Sequence, residues 1–396
     1  MSTHQPLFRE DYYVQDVEFP SGYNRLQSPV RMSCAAAVSG FSPPNPAGPF
    51  TYIDLGCGRG ITLNTLAAAN PQAEFVGIDF NADHIAQAED FAAKSGLSNV
   101  TYHQADFLSL PERSDIPEAD FIAMNGIYSW LHTRVIEAVL AFVEQALKPN
   151  GLFYVQTMTL PAKSSVAPLW YLLRQITRHM EDPYDRVESG LSILDQMMQN
   201  QADYLAKQPA AANILDSFVK KMDNPKVMKN LIHHALSENW RPQYFNELAS
   251  EMQHASLEYA GSTIFSRNDL QLCIPEKLQH IFDSISDQVS EELLKDFVCN
   301  THNRYDVFAR GKHQPEAARR FLTKHIWFLK RTKEPLSDLT MTKNKKEVAL
   351  PLRGTPYEEI LTHPQPSPQQ PEWSDEPEKA AAWEFLRHIN RLLATE

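Results

Sequence analysis

The chain has 396 residues, a formal net charge of −12, 43% hydrophobic and 22% charged residues, close to the globular average, so most of it is expected to fold, in two or three domains. The acidic balance excludes a protein whose main partner is a nucleic-acid backbone, because such binding rests on many Lys and Arg contacts. No apolar run approaches the ~18 residues of a membrane span.

The opening MSTHQPLFREDYYVQD has no basic region leading into an apolar stretch and does not read as a secretory signal. Cys34, Cys57, Cys273 and Cys299 are far apart and form no C-x-x-C, which argues against a disulfide framework or a zinc site and suits a reducing, cytoplasmic setting. Glycine is scarce, at 14, and proline plentiful, at 27, so helices joined at prolines are expected. Residues 1–40 read as irregular and aromatic-rich (Tyr12, Tyr13, Phe19, Tyr23). With the turn SPPNPAGP they form an arm over residues 1–45, either a lid on a ligand or packing outside a sheet.

From there short apolar runs alternate with helical stretches. Strands are expected at 51–55, 74–80, 99–106, 120–125 and 151–157, and helices at 61–69, 83–95 and 133–147. This alternation predicts an α/β, Rossmann-like doubly wound sheet over residues 46–160. Residues 161–243 carry helical spacing with Gly190 as their one glycine and read as a large helical insertion. In the segment 244–312, LEYAGSTIF (257–265) and RYDVFARG (304–311) read as strands returning to the same sheet, with a small independent α+β domain as the competing reading. The C-terminal extension, 313–396, combines a basic helix, a proline-rich linker between Pro351 and Pro377 and an amphipathic helix over Glu378–Leu393. Residues 310–346 hold eleven Lys/Arg against three acids, read as a solvated helix face, with contact to an acidic protein or an RNA phosphate as the alternative.

The strand TYIDL runs directly into Gly56-Cys57-Gly58-Arg59-Gly60, and a helix follows. Such a turn needs backbone free of Cβ so that a ligand can lie against it. Asp79 falls nineteen residues beyond Gly60 at the end of the next strand, where an acid accepts hydrogen bonds from ribose hydroxyls. Asp106 ends the third strand, placed to accept from an exocyclic amine. The competing reading makes both aspartates helix N-caps. A dinucleotide fingerprint, G-x-G-x-x-G, fits less well, since Gly60 comes one position early. Asp54, just before the loop, suits the amino group of an amino-acid moiety.

The run Asp54-Leu55-Gly56-Cys57-Gly58-Arg59-Gly60, then Gly77-Ile78-Asp79 and Ala105-Asp106-Phe107, resembles the class I S-adenosylmethionine-dependent methyltransferases, over roughly residues 50–160. DYYVQDVEFPSGYNRLQSPVRM, LNTLAAANPQAEFVGIDFNADHIAQA, NWRPQYFNELASEMQHASLEYAG and DFVCNTHNRYDVFARG further resemble bacterial members with a methyltransferase regulatory domain, similar in layout to rickettsial protein-lysine methyltransferases. The tail after about 315 departs from that family's pattern. The resemblance implies a seven-strand sheet and S-adenosyl-L-methionine as cofactor, its methionine portion on the backbone of Gly56, Gly58 and Gly60. It implies Asp54 near the ammonium, Cys57 in the loop, Asp79 and Phe80 at the ribose, Asp106 at the adenine amine and Phe107 beside the ring.

Asn125-Gly126-Ile127-Tyr128-Ser129-Trp130 follows the fourth strand, where the family's amine-methylating members carry N-P-P-Y or D-x-x-Y. Asn125 is a candidate to hold a neutral amine, with Tyr128 and Trp130 as π faces for the developing cation. Equally open is that Asn125 binds the cofactor through its backbone and Tyr128 packs under a helix. The leading expectation is methyl transfer to a protein lysine, with the helical block as one wall of the cleft. Methylation of a small molecule or glycan on oxygen is the alternative, with His132 as the nearby base, as is a non-catalytic cofactor-binding regulatory protein. His233-His234 has no partner at metal-ligand spacing and HExxH is absent, so no metal is expected. The oligomeric state leaves no mark on the sequence.

Overall fold

The computed structural model describes residues 22–325 and the strands 339–343 and 346–350. Tyr12, Tyr13, Phe19, the proline-rich linker and the expected terminal helix lie outside the described residues.

Seven strands form one sheet: β1 (Thr51–Leu55), β2 (Glu74–Asp79), β3 (Val100–Gln104), β4 (Ala119–Met124), β5 (Leu147–Met158), β6 (Glu258–Ser262) and β7 (Asn303–Ala309). Their order is β3-β2-β1-β4-β5-β7-β6. The first five are parallel, and β7 runs antiparallel between β5 and β6, in register from Leu152↔Ala309 to Met158↔Asn303. The two late strands therefore return to the sheet, and no separate α+β domain forms around them.

Helices α2 (Ile61–Ala69), α3 (Ala82–Lys94) and α4 (Thr133–Ala146) fill the crossovers. A helix α1 (Pro29–Val38) also forms inside the stretch expected to be irregular. Proline at its first turn and a run of small residues favour helix there. Met32, Ala35, Ala36 and Ala37 are all buried, so the helix lacks the polar face that would have marked it in the sequence.

The insertion is helical, with α5 (Ala167–Ile176), α6 (Pro183–Gln199), a short α7 (Asp203–Ala206), α8 (Pro209–Val219) and α9 (Pro225–Leu236). Prolines start α6, α8 and α9 at positions whose N–H has no helical partner. Asp182 and Asn224 cap α6 and α9 by accepting from backbone N–H groups of the first turn. This segment has an apolar cluster of its own, including Leu169, Trp170, Leu173, Val187, Leu191, Leu215 and Leu231. Gly190 sits where a Cβ would come within 2.4 Å of Leu173, which lets α5 and α6 approach closely.

Further on come α10 (Phe245–His254), short α11 (Leu270–Cys273) and α12 (Glu276–Gln279), α13 (Gln288–Cys299) and α14 (Pro315–His325). α4 and α10 cover one face of the sheet, packing Val135, Val139, Val143, Leu248 and Met252 with Ile53, Ile78, Ile122 and Val155. The chain divides into two compact units between Ala318 and Arg319, and in the second the hairpin β8 (Leu339–Lys343) and β9 (Lys346–Leu350) is antiparallel. Among the described residues no helix is long and apolar enough to cross a membrane.

Beside β7 a charge cluster is buried. Arg304 donates to Glu292 at 2.6 Å, to both oxygens of Asp296 at 3.0 Å and to Asp306 at 2.5 Å. Its guanidinium lies 4.0 Å from the Phe245 ring centroid. Arg267 reaches Asp296 at 2.9 Å and Lys295 reaches Glu292 at 2.7 Å. Lys295 also reaches the less buried Glu291 at 2.7 Å, so three cations face three buried carboxylates and one nearer the surface. Burial alone would raise Glu292, but Arg304 and Lys295 outweigh it and hold its carboxyl below the usual range. Asp306 is pushed up to about 6 by burial, against the pull of Arg304. The network joins α13 to β7, and removing one member strands charge in the interior. Arg304→Met should destabilise the fold by about 3–5 kcal/mol in urea unfolding at pH 7. The deficit against the wild type should narrow toward pH 5, because the stranded carboxylates, their pKa raised in the folded variant, take up protons there.

Candidate active site

The parallel strands β1, β2, β3 and β4 end at one edge, and the loop after β1 is the tightest turn on it. Gly56, Gly58 and Gly60 have φ of +77°, +52° and +68°, a region costly for any residue with a Cβ. Gly56 and Cys57 donate their N–H groups to Ile78 O, at 2.7 and 3.1 Å, folding the loop back over β2.

The three glycines have different neighbours. A Cβ on Gly56 would meet Ile127 at 1.8 Å, and one on Gly60 would meet the Tyr102 hydroxyl at 2.5 Å and Ala88 at 2.8 Å. Gly58 alone of the three opens onto free space, with nothing within 4 Å of that position. The three glycines thus differ in what packs against them: Gly56 and Gly60 admit neighbouring loop, strand and helix, and Gly58 is open on its Cβ side.

Two buried carboxylates flank that face. Asp79, 5% exposed, accepts from Gly58 N–H on Oδ2 and from Asn81 N–H on Oδ1, both at 2.9 Å. Asp54, 4% exposed, accepts from Gln27 Nε2 at 3.1 Å. Burial pushes Asp54 up to about 7; the Gln27 hydrogen bond draws it down and the Asp79 charge adds to the rise. Cys57 is also pushed up by burial, so its sulfur stays a thiol. Phe80 follows β2, half-buried, and Phe107 is buried after β3. Asp106 Oδ1 accepts from Leu108 N–H at 2.8 Å, capping the turn that follows, as the N-cap reading had it.

The arm reaches this edge. Asn24 N–H donates to Thr62 Oγ1 at 3.0 Å, and its Nδ2 donates to Asn125 Oδ1 at 2.6 Å. Tyr154 on β5 also donates to Asn125 Oδ1, at 3.0 Å. Gln27 is fixed in turn, its carbonyl accepting from the Tyr52 hydroxyl at 2.9 Å. Tyr23 lies beside Asn24, 51% exposed.

Of the two open readings of the segment after β4, packing inside the fold is the one Tyr128 follows. Asn125 Oδ1, read as the acceptor's anchor, already receives two donors. Tyr128 is 0% exposed and donates its hydroxyl to Glu251 Oε2 at 2.7 Å, so its ring presents no face to a ligand here. Gln243 Nε2 meets the same Glu251 oxygen at 2.9 Å, and Arg241 pairs with the other. Trp130, 3% exposed, meets the His234 ring edge-on at 4.9 Å. Burial pushes His234 down to about 3, with the Lys163 charge adding to it, so that ring is neutral at physiological pH. Tyr128 and Trp130 are thus anchors of the loop, buried because their rings complete the packing between β4 and the helices behind it. His132 is exposed and begins α4. Asn24, Gln27 and Glu251 were missed in the sequence, where an Asn, a Gln and a Glu in ordinary surroundings give no local signal.

Comparisons with known proteins point to the same fold. Residues 49–239 match a family model described as a methyltransferase domain, and 228–310 match one described as a predicted methyltransferase regulatory domain. An uncharacterized protein of Synechocystis is 32% identical over 301 residues, 76% of this chain and 58% of its own length. An uncharacterized protein of Rickettsia prowazekii is 24% identical over 297 residues, 73% of this chain and 51% of its own length. The chain therefore spans little more than half of these curated relatives. The structure of PKMT2 from Rickettsia typhi in complex with AdoHcy is similar with a TM-score of 0.62 at 21% identity, covering 76% of this chain and 58% of that one, a likeness of fold.

Asp54 gives this site a pH signature. A ligand that brings a cation to Asp54 needs its carboxylate, and below pH ~7 it must first displace a proton. Its affinity should fall by up to about tenfold per unit as pH drops from about 7 toward 5.5, measured by calorimetry with S-adenosylmethionine. Asp54→Asn should bind more weakly, with that dependence lost.

Proposed function

We propose that this chain, a class I S-adenosylmethionine-dependent methyltransferase by the domains in residues 49–310, transfers the methyl group to a protein amine, with lysine as the acceptor. The observation that carries the reading is the open backbone face at Gly58, set between the buried carboxylates of Asp54 and Asp79. It fits the cofactor's chemistry, which needs a surface without Cβ, an anion for an ammonium and an acceptor for ribose hydroxyls. Bound S-adenosylmethionine supplies a methyl carbon on a sulfonium, open to in-line attack.

Asp54 holds the ammonium, with Gln27 keeping its carboxylate oriented. Asp79, fixed by two backbone N–H groups, faces the ribose, and Asp106 with Phe107 bounds the adenine. Asn125 acts as a rivet between the arm and Tyr154, setting the gap through which an acceptor arrives. Tyr23, exposed on the arm, takes the aromatic role first read into Tyr128 and stacks on the amine. No dedicated base is required once the amine is neutral, since transfer is then a matter of alignment. The lysine acceptor is supported by the resemblance to rickettsial protein-lysine methyltransferases.

The decisive measurement incubates the protein and methyl-labelled S-adenosylmethionine with a cell lysate divided into protein, nucleic-acid and small-molecule fractions. Label should enter protein, map to lysine side chains and vanish with Asp79→Ala. Label confined to small molecules or glycans would overturn the protein acceptor and turn attention to His132 as a base for oxygen. No label in any fraction, with the cofactor bound, would overturn transferase activity toward that lysate. Tyr23→Ala should raise the acceptor KM several-fold and leave cofactor affinity unchanged; an unchanged KM removes Tyr23 from the acceptor site.

A further inference from the structure

Two cysteines of the segment matched to the regulatory domain come together in the fold. Cys273 ends α11 and Cys299 ends α13. The Cys299 Sγ donates to the carbonyl oxygen of Cys273 at 3.5 Å, and the Cys273 Sγ lies 3.9 Å from the carbonyl oxygen of Arg267. Both residues are partly accessible to solvent. Their segments are also tied by charge, since Arg267, six residues before Cys273, reaches Asp296 on α13 at 2.9 Å. The sulfurs are thus held in proximity by contacts that do not depend on any bond between them.

The surroundings separate this pair from the other cysteines. The neighbouring Cys273 side chain, with the positive charge of Arg267 and Lys295, outweighs burial and the Asp296 charge and draws Cys299 down to about 7. Cys273 is pushed up, first by the neighbouring Cys299 side chain and then by burial. Burial pushes Cys34 up to about 11 and raises Cys57 as well. The attacking species in exchange is the thiolate, and Cys299 has the environment for it.

We propose that Cys273 and Cys299 form a reversible dithiol–disulfide pair, a modification site in the regulatory-domain segment that reacts with low-molecular-weight disulfides of the glutathione type. The Cys299 thiolate attacks one sulfur of the external disulfide, whose S–S bond breaks and releases one glutathione thiolate. Cys273, losing its proton to solvent, then attacks the Cys299 sulfur of the mixed disulfide and expels the second. The two protein thiols are oxidised to one disulfide while the external disulfide is reduced to two thiols, so electrons and protons balance. Closing the bond links α11 covalently to the end of α13, beside the network that holds β7.

The test equilibrates the whole chain in glutathione buffers from reducing to oxidising, quenches with acid, alkylates free thiols and maps the peptides. A linked Cys273–Cys299 peptide, two hydrogens lighter than the separate ones, should accumulate while Cys34 and Cys57 stay alkylated. Cys273→Ser should stop at glutathione on Cys299, and Cys299→Ser should form no link. Glutathione persisting on Cys299 of the wild type without an internal link would overturn the proposal. So would a link to Cys34 or Cys57, or full alkylation of all four cysteines in the most oxidising buffer. Because the wild type itself gives the reading, the result does not depend on a variant folding.

Discussion

The turn that leaves β1 takes positive φ at three of its five residues and leaves no room for a Cβ at two of them, and the rest of the molecule is arranged around that constraint. With Gly56 and Gly60 bare, Ile127 from behind β4 and Tyr102 from β3 press directly onto the loop backbone. Elements from both sides of β1 are therefore brought to one edge. With Gly58 bare and outward-facing, a strip of backbone stays accessible in an otherwise close-packed region. Its N–H is spoken for by Asp79, so the loop and the carboxylate hold each other in place.

Around this loop the protein is cross-tied by polar contacts that are few but convergent. Asn125 gathers the arm and β5 onto one amide oxygen, and Glu251 gathers Tyr128, Gln243 and Arg241 onto one carboxylate. The Asn24–Asn125 and Tyr128–Glu251 ties join segments more than a hundred residues apart, and each tie replaces water with a fixed partner at a buried or half-buried atom. Such contacts fix geometry more than they add net stability, because a hydrogen bond formed on folding replaces one made to water. Along the same face, toward the β7–β6 edge, the Arg304 cluster does for β7 and α13 what Glu251 does for the loop after β4. There charge balance is the requirement, since an unmatched ion in that interior is costly.

Much of the architecture was legible residue by residue. β1 and α2 fall where the apolar pattern put them, and β2, β4, α3 and α4 within one residue, because each pairs a buried stripe with a clear terminator. β5 begins four residues earlier than its sequence suggests, since Lys148, Pro149 and Asn150 interrupt the apolar run while the backbone stays paired or extended. α1 was illegible for the opposite reason: apart from Arg31 and Ser33 its residues are apolar, so no period stands out. The return of β6 and β7 could be proposed but not decided, as strand propensity says nothing about which edge a strand will find.

The site divides in the same way. Local conformation and chain order come from the sequence: a turn rich in positive φ, acids at strand ends and an alternating pattern that demands a sheet. These rest on interactions among neighbours in the chain, which propensity and periodicity describe. Side-chain roles were settled by distant partners. That Gly56 has no room for a Cβ depends on Ile127, about seventy residues away. Tyr128 looks free until α10 brings Glu251 to its hydroxyl, and Cys273 and Cys299 look unrelated until α13 folds back. The sequence by itself determined the sheet, the loop and the kind of chemistry at its edge. Only the tertiary structure decided which atoms remain open to a ligand, because that depends on what else has packed against them.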